Sequence, residues 1–160
     1  MEKEYLQKIL IHNIKYILKF KGIKNPKEAA LFLNTNYSTL RSWLAYERTP
    51  ALSTLDNVCN ILEVPTYILF VPDLNERELI HVLGTERKND SITILQKNFA
   101  KLYKHKSWNE VVSQYSGLLS DETLKSYQRI NNNIVPPIST LETMCSYLGI
   151  PAHELLRGDL

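Results

Sequence analysis

The 160-residue chain is short of residues that break or staple a backbone: it has 5 glycines, 7 prolines and 2 cysteines. So little glycine and proline argues against collagen-like and turn-rich all-β classes. Two cysteines, Cys59 and Cys145, cannot form a disulfide framework. Fully apolar runs stop at about five residues, as at Ala29 to Leu33 and Tyr67 to Val71, whereas a bilayer span needs roughly 20. The opening Met1-Glu2-Lys3-Glu4 is not a secretory signal. A cytoplasmic protein with no membrane association is therefore expected. Cys-x-x-Cys, His-x-x-x-His and glycine-rich phosphate loops are also missing. No paired carboxylates or nucleophile–base set stands out, so no cofactor, metal or enzymatic activity is expected.

What is present is globular: 44% apolar and 22% charged residues. The net charge of +2 is unevenly spread, at +3 over residues 1–72, −2 over 73–90 and +1 over 91–160. A basic N-terminal bias fits a nucleic-acid partner without requiring one. Isoleucine and asparagine are abundant and lysine outnumbers arginine 13 to 6, which suggests an AT-rich genome, such as a low-GC bacterium or its phage.

The chain repeats itself. Leu52-Ser-Thr-Leu-Asp-Asn-Val-Cys-Asn-Ile-Leu-Glu-Val-Pro65 and Ile138-Ser-Thr-Leu-Glu-Thr-Met-Cys-Ser-Tyr-Leu-Gly-Ile-Pro151 share 6 of 14 positions at a shift of 86, where about one would match by chance. Pro50 pairs with Pro136, Thr39 to Trp43 with Thr123 to Tyr127, and Asn13 to Lys21 loosely with Asn98 to Lys106. Two copies of one unit follow, over residues 1–72 and 91–160, with residues 73–90 between them.

Each copy reads as a string of short helices. Leu6, Ile9, Leu10, Asn13, Ile14, Ile17 and Leu18 keep a 3.6-residue period, and Gly22 stops that helix. Asn25-Pro26 starts a second helix over Lys27 to Leu33. Asn34 suits the left-handed residue of a tight turn. Asn36 caps a third helix from Tyr37 to Ala45, Ser53 opens a fourth, and Pro65 begins a last short one through Phe70. In the second copy a helix starting at Asp90 or Ser91 turns Ile92, Leu95, Phe99, Leu102 and Tyr103 inward. Ser107-x-x-Glu110 is a capping box, and Ser120 and Ser139 start the third and fourth helices. Asn75-x-x-Glu78 predicts a connector helix over 76–83, and Thr85 to Asp90 a polar hinge. Both cysteines take the same apolar slot of the fourth helix, as small buried hydrophobes.

Helix, tight turn, helix is the spacing of a helix-turn-helix unit. In the first copy Leu40, Trp43 and Leu44 make the inward face of the third helix. Tyr37, Ser38, Arg41, Ser42 and Ala45 face outward with no acid among them. The major groove, roughly 12 Å wide, admits one such helix, and arginine on guanine is the commonest specific contact. Arg41 is then either a solvated surface group or a base or phosphate reader. Tyr37 either meets a thymine methyl or sugar, or packs on the second helix. Lys15, Lys19, Lys21, Lys24 and Lys27 are either a solubilising face or phosphate anchors, and Arg48 is a similar candidate.

The run Leu33-Asn-Thr-Asn-Tyr-Ser-Thr-Leu-Arg-Ser-Trp-Leu-Ala-Tyr-Glu-Arg-Thr-Pro50, with Ala30 before it and Leu62-Glu-Val-Pro65 after it, resembles the lambda-repressor/Cro (XRE) type of helix-turn-helix regulator. The resemblance spans nearly the whole chain. It implies an all-α fold of two tandem lambda-repressor-like five-helix domains joined by a short connector helix. It also implies a sequence-specific double-stranded-DNA-binding transcriptional regulator, a repressor, with the third helix of the first domain in the major groove. The DNA-binding residues implied are Lys24, Asn25, Lys27, Asn36, Tyr37, Ser38, Thr39, Arg41, Ser42 and Arg48. A second DNA site would comprise Ser107, Asn109, Thr123, Lys125, Ser126, Arg129 and Asn131.

Departures from the family pattern are Pro26 and Tyr37 where glutamine is frequent, and Asn34 where the turn usually has glycine. In the second copy the turn Ser116 to Ser120 is two residues longer, and Asp121-Glu122 at the start of its third helix disfavours phosphate there. That copy either reads an adjacent half-site or mediates a homodimer. The alternative for the whole chain is a protein-interaction module, meaning an antitoxin, a phage-encoded inhibitor or an antirepressor that retains the fold.

Overall fold

The first helix forms because apolar side chains fall on one side of a 16-residue stretch free of glycine and proline. Residues Leu6, Leu10, Ile14, Ile17 and Leu18 are buried, and Gln7, Ile11 and Asn13 are buried with them. A computed structural model describes residues 5–84, 88–102 and 121–157, with the backbone alone over 121–124. Among the described residues the chain is all-α, without strands.

The first copy contains α1 (Tyr5–Phe20), α2 (Pro26–Phe32), α3 (Tyr37–Leu44), α4 (Leu52–Leu62) and a 310 turn (Thr66–Phe70). The connector helix is α5 (Glu76–Val82), capped as expected by Asn75: Glu78 N donates to Asn75 Oδ1 at 2.9 Å, while the Glu78 carboxylate accepts from the Asn75 side chain (Nδ2 to Oε1, 2.8 Å) rather than from its backbone N–H. The second copy contributes α6 (Ser91–Leu102), α7 (Asp121–Asn131), α8 (Ile138–Leu148) and α9 (Ala152–Leu155). The expected capping box at Ser107, the cap at Ser120 and inward-facing Tyr103 lie outside the described residues. No helix among the described residues is long and apolar enough to cross a membrane.

Two expected helix starts shift. Neither Ser53 nor Ser139 opens its helix; α4 begins at Leu52 and α8 at Ile138, after the extended residues Ala51 and Pro137, without a side-chain cap. Leu52 and Ile138 are both buried in these first turns. The last short helix expected after Pro65 is present, as a 310 helix over Thr66–Phe70.

The repeat is visible in three dimensions through a buried amide. Asn13 Nδ2 donates to Leu69 O and Val71 O, both at 2.9 Å, and lies 3.4 Å from Ile68 O. Its counterpart Asn98 donates from Nδ2 to Leu155 O. Each first helix thus satisfies carbonyls at the end of its own copy, which would otherwise be buried without a donor. The helix-four ends also correspond, with Glu63 (φ 59°) and Gly149 (φ 67°) both left-handed.

One hydrophobic core runs through both copies. Helix α1 packs on the 310 turn, on α3 and on α8; α9 also packs on the 310 turn, and α4 on α6. The hinge expected at 85–90 is anchored over its described part. Asn89 donates from N and Nδ2 to Asn60 Oδ1 (2.7 and 2.9 Å) and from Nδ2 to Val64 O (3.0 Å), while its Oδ1 accepts from Thr66 N at 3.1 Å. Ser91 N and Oγ donate to Asp56 at 3.0 and 2.5 Å, and Thr66 Oγ1 donates to Asp56 at 2.7 Å. Half-buried polar groups that are fully matched in this way hold a junction in one geometry.

Replacing Asn13 with alanine removes the donor to carbonyls on the 310 turn and is expected to cost about 1–3 kcal/mol. Asn98→Ala is expected to cost less, because Asn98 Oδ1 is itself buried without a partner among the described residues. Urea unfolding followed by circular dichroism measures both.

Candidate nucleic-acid interface

Helix α3 is set on the body of the protein by local chemistry at its start and by burial along one side. Asn36 Oδ1 accepts from Ser38 N at 2.8 Å and from Ser38 Oγ at 2.7 Å, capping the helix. Leu40 and Trp43 are buried and Leu44 is half-buried. The turn from α2 passes through Asn34 at φ 52°, as expected, with Thr35 N donating to Ala30 O at 3.0 Å. Ala30 is buried, and α2 packs on α3.

The outward face carries Tyr37, Ser38 and Arg41, all exposed, with Thr39 and Ser42 half-buried beside them. Ser42 Oγ donates to Thr39 O at 2.8 Å, so its proton is committed to the backbone and its lone pairs face outward as acceptors. Lys24, Asn25 and Lys27 are exposed at the start of α2, and Arg48 is exposed after α3. Among the described residues no carboxylate pairs with Lys24, Lys27, Arg41 or Arg48. Asn25 and Asn36 serve mainly as caps: Asn25 Oδ1 accepts from Glu28 N at 2.9 Å. Glu28 Oε2 in turn accepts from Lys24 N at 3.0 Å, one residue before the cap.

Lys15 departs from the expected basic stretch. Its Nζ lies 4.6 Å from the centre of the Tyr46 ring, and Gln7 Nε2 donates to Tyr46 O at 3.4 Å. Together they hold the left-handed Tyr46 (φ 62°) that ends the α3 segment. No local signal marks this tyrosine, because left-handed backbone ordinarily selects glycine or asparagine.

The second set of residues does not assemble as the first does. Ser107 and Asn109 lie outside the described residues, as does the side chain of Thr123. Lys125, Arg129 and Asn131 are exposed on α7. Ser126 is only 4% exposed and so cannot meet a duplex. The reason is the neighbouring Tyr127, the counterpart of Trp43, which packs edge-on against Phe99 at 4.8 Å and draws its side of α7 into the core.

Both cysteines are free, Cys59 buried and Cys145 half-buried. Burial, partly offset by a hydrogen bond with Thr66, pushes the Cys59 thiol well above its ordinary range. Burial and the Glu142 carboxylate push Cys145 up to about 12. Neither is an activated nucleophile. No group of three or more metal-ligating side chains occurs among the described residues.

No protein-family model, curated protein or solved structure matches the chain.

Leu40→Ala should destabilise the fold by about 2–5 kcal/mol, whereas Arg41→Ala should stay within about 0.5 kcal/mol of the parent; thermal and urea melts separate a residue that holds α3 from one that α3 merely displays. The raised thiols add a pH signature. The unfolded chain releases these protons near pH 9.0 and the folded chain retains them, so their contribution is complete below pH 9 and is lost as pH rises above it. Above pH 9, stability should fall by up to about 1.4 kcal/mol per pH unit per thiol relative to a Cys59→Ala/Cys145→Ala variant.

Proposed function

We propose that this chain is a sequence-specific double-stranded-DNA-binding regulator of the lambda-repressor/Cro type, a cytoplasmic repressor whose α3 enters the major groove. In this reading each copy is a five-helix helix-turn-helix domain. The supporting observation is the division of α3 into two sides. Leu40 and Trp43 root it in the core, while Tyr37, Ser38 and Arg41 stand exposed with no acid on that face. An α-helix with its side chains is roughly 10–12 Å across, which matches a groove of roughly 12 Å. Arg41 would read a base edge, Ser38 and Ser42 would add short-range contacts, and Lys24, Lys27 and Arg48 would hold phosphates on either side. Base reading rests on the first copy. In the second, Lys125, Arg129 and Asn131 are available for backbone contacts and Ser126 is not.

A protein-interaction module has an observation of its own in favour. Leu31 is 84% exposed and Phe32 42% exposed on α2, an apolar pair beside the proposed DNA face.

Selection of bound duplex from a random pool at a fixed, stated salt concentration tests the reading. One enriched motif is expected. At that motif Arg41→Ala should cost about 1–3 kcal/mol, a roughly 5- to 150-fold loss. Lys27→Ala should weaken all sequences alike and lower the salt slope by about one. Absence of an enriched motif, or a motif indifferent to Arg41→Ala, rejects the reading. Leu31→Glu should leave the motif unchanged.

A further inference from the structure

A cleft of about 370 Å³ opens where α1 of the first copy meets α8 and α9 of the second. Its walls are apolar, with Ile9 and Phe70 on one side and Ile150 and Pro151 on the other. Glu142, Cys145 and His153 line the same cleft. Glu142 Oε1 and His153 Nδ1 are buried and have no hydrogen-bond partner among the described residues. Glu142 and His153 are themselves half-buried, so each side chain still presents surface to the cleft it lines.

We propose that this seam cleft is a binding site for a small amphiphilic amine: a flat apolar body between Ile9, Phe70, Ile150 and Pro151, with a cationic N–H donor directed at the Glu142 carboxylate. The volume lies within the roughly 300–1,000 Å³ of small-molecule sites, which are mostly apolar with a few placed polar groups. An acceptor-only carboxylate selects a donor and rejects a second anion. The site is independent of the DNA reading, and an occupant would touch both copies at once.

Three probes sharing one ring separate the terms: tryptamine, neutral tryptophol and anionic indole-3-acetate. Titration calorimetry on the full chain should rank tryptamine about tenfold or more above indole-3-acetate, with tryptophol between. Glu142→Gln should reduce tryptamine affinity at least about fivefold and leave tryptophol within about twofold. A thermal melt of that variant checks that the fold is retained. Cys145 reports the location: saturating tryptamine should slow its alkylation by N-ethylmaleimide at least about threefold, read by peptide mass spectrometry, while the fully buried Cys59 stays unmodified. Equal affinities for the amine and the acid overturn the proposal, as does binding that Cys145 does not register, or no binding up to about 10 mM.

Discussion

Everything in the fold is arranged around α1, and α1 can occupy that place because the Asn13 amide satisfies the carbonyls pressed against it. The 310 turn ends the first copy on top of α1, where Leu69 O is buried and Val71 O half-buried against the helix. A leucine at position 13 would fill the space and leave those acceptors bare. With the amide in place, α1 also carries α3 on one side and α8 on another. The helix proposed to read DNA and the seam between the copies therefore rest on the same rod.

The second copy shows the same device in a weaker form. Asn98 reaches Leu155 O and leaves its own Oδ1 without a partner among the described residues. Tyr127 replaces Trp43 at the foot of the third helix, and that helix is longer, 11 residues against 8. The first copy keeps an outward polar face free on α3; the second turns Ser126 inward and is bound to its neighbour through α8 and α9.

The packing between the copies is held by polar groups as well as by apolar area. Asp56 and Asn60 on α4 receive Ser91 from the start of the second copy and Asn89 from the segment before it, and Thr66 joins both sets. Matched hydrogen bonds of this kind are directional, so they fix the orientation of the copies where the hydrophobic contact alone would allow sliding. The cleft beside α1 and α8 is a consequence of that fixed orientation.

Much of the local architecture was legible in the residues. The period of Leu6 to Leu18, the caps at Asn25, Asn36 and Asn75, the left-handed Asn34 and the common slot of Cys59 and Cys145 all follow from rules that act within a few residues. The exposed face of α3 follows from the same periodicity. Long-range choices were not legible: the anchoring of Asn89, the stacking of Lys15 on Tyr46, the burial of Ser126, and the meeting of Glu142 and His153 around a cleft. Periodicity states which side of a helix avoids water but not which other helix covers it. That choice belongs to contacts 25 to 60 residues apart, such as Asn89 with Val64 and Asn13 with Leu69, and it is settled only when shape, volume and every buried polar group are satisfied together.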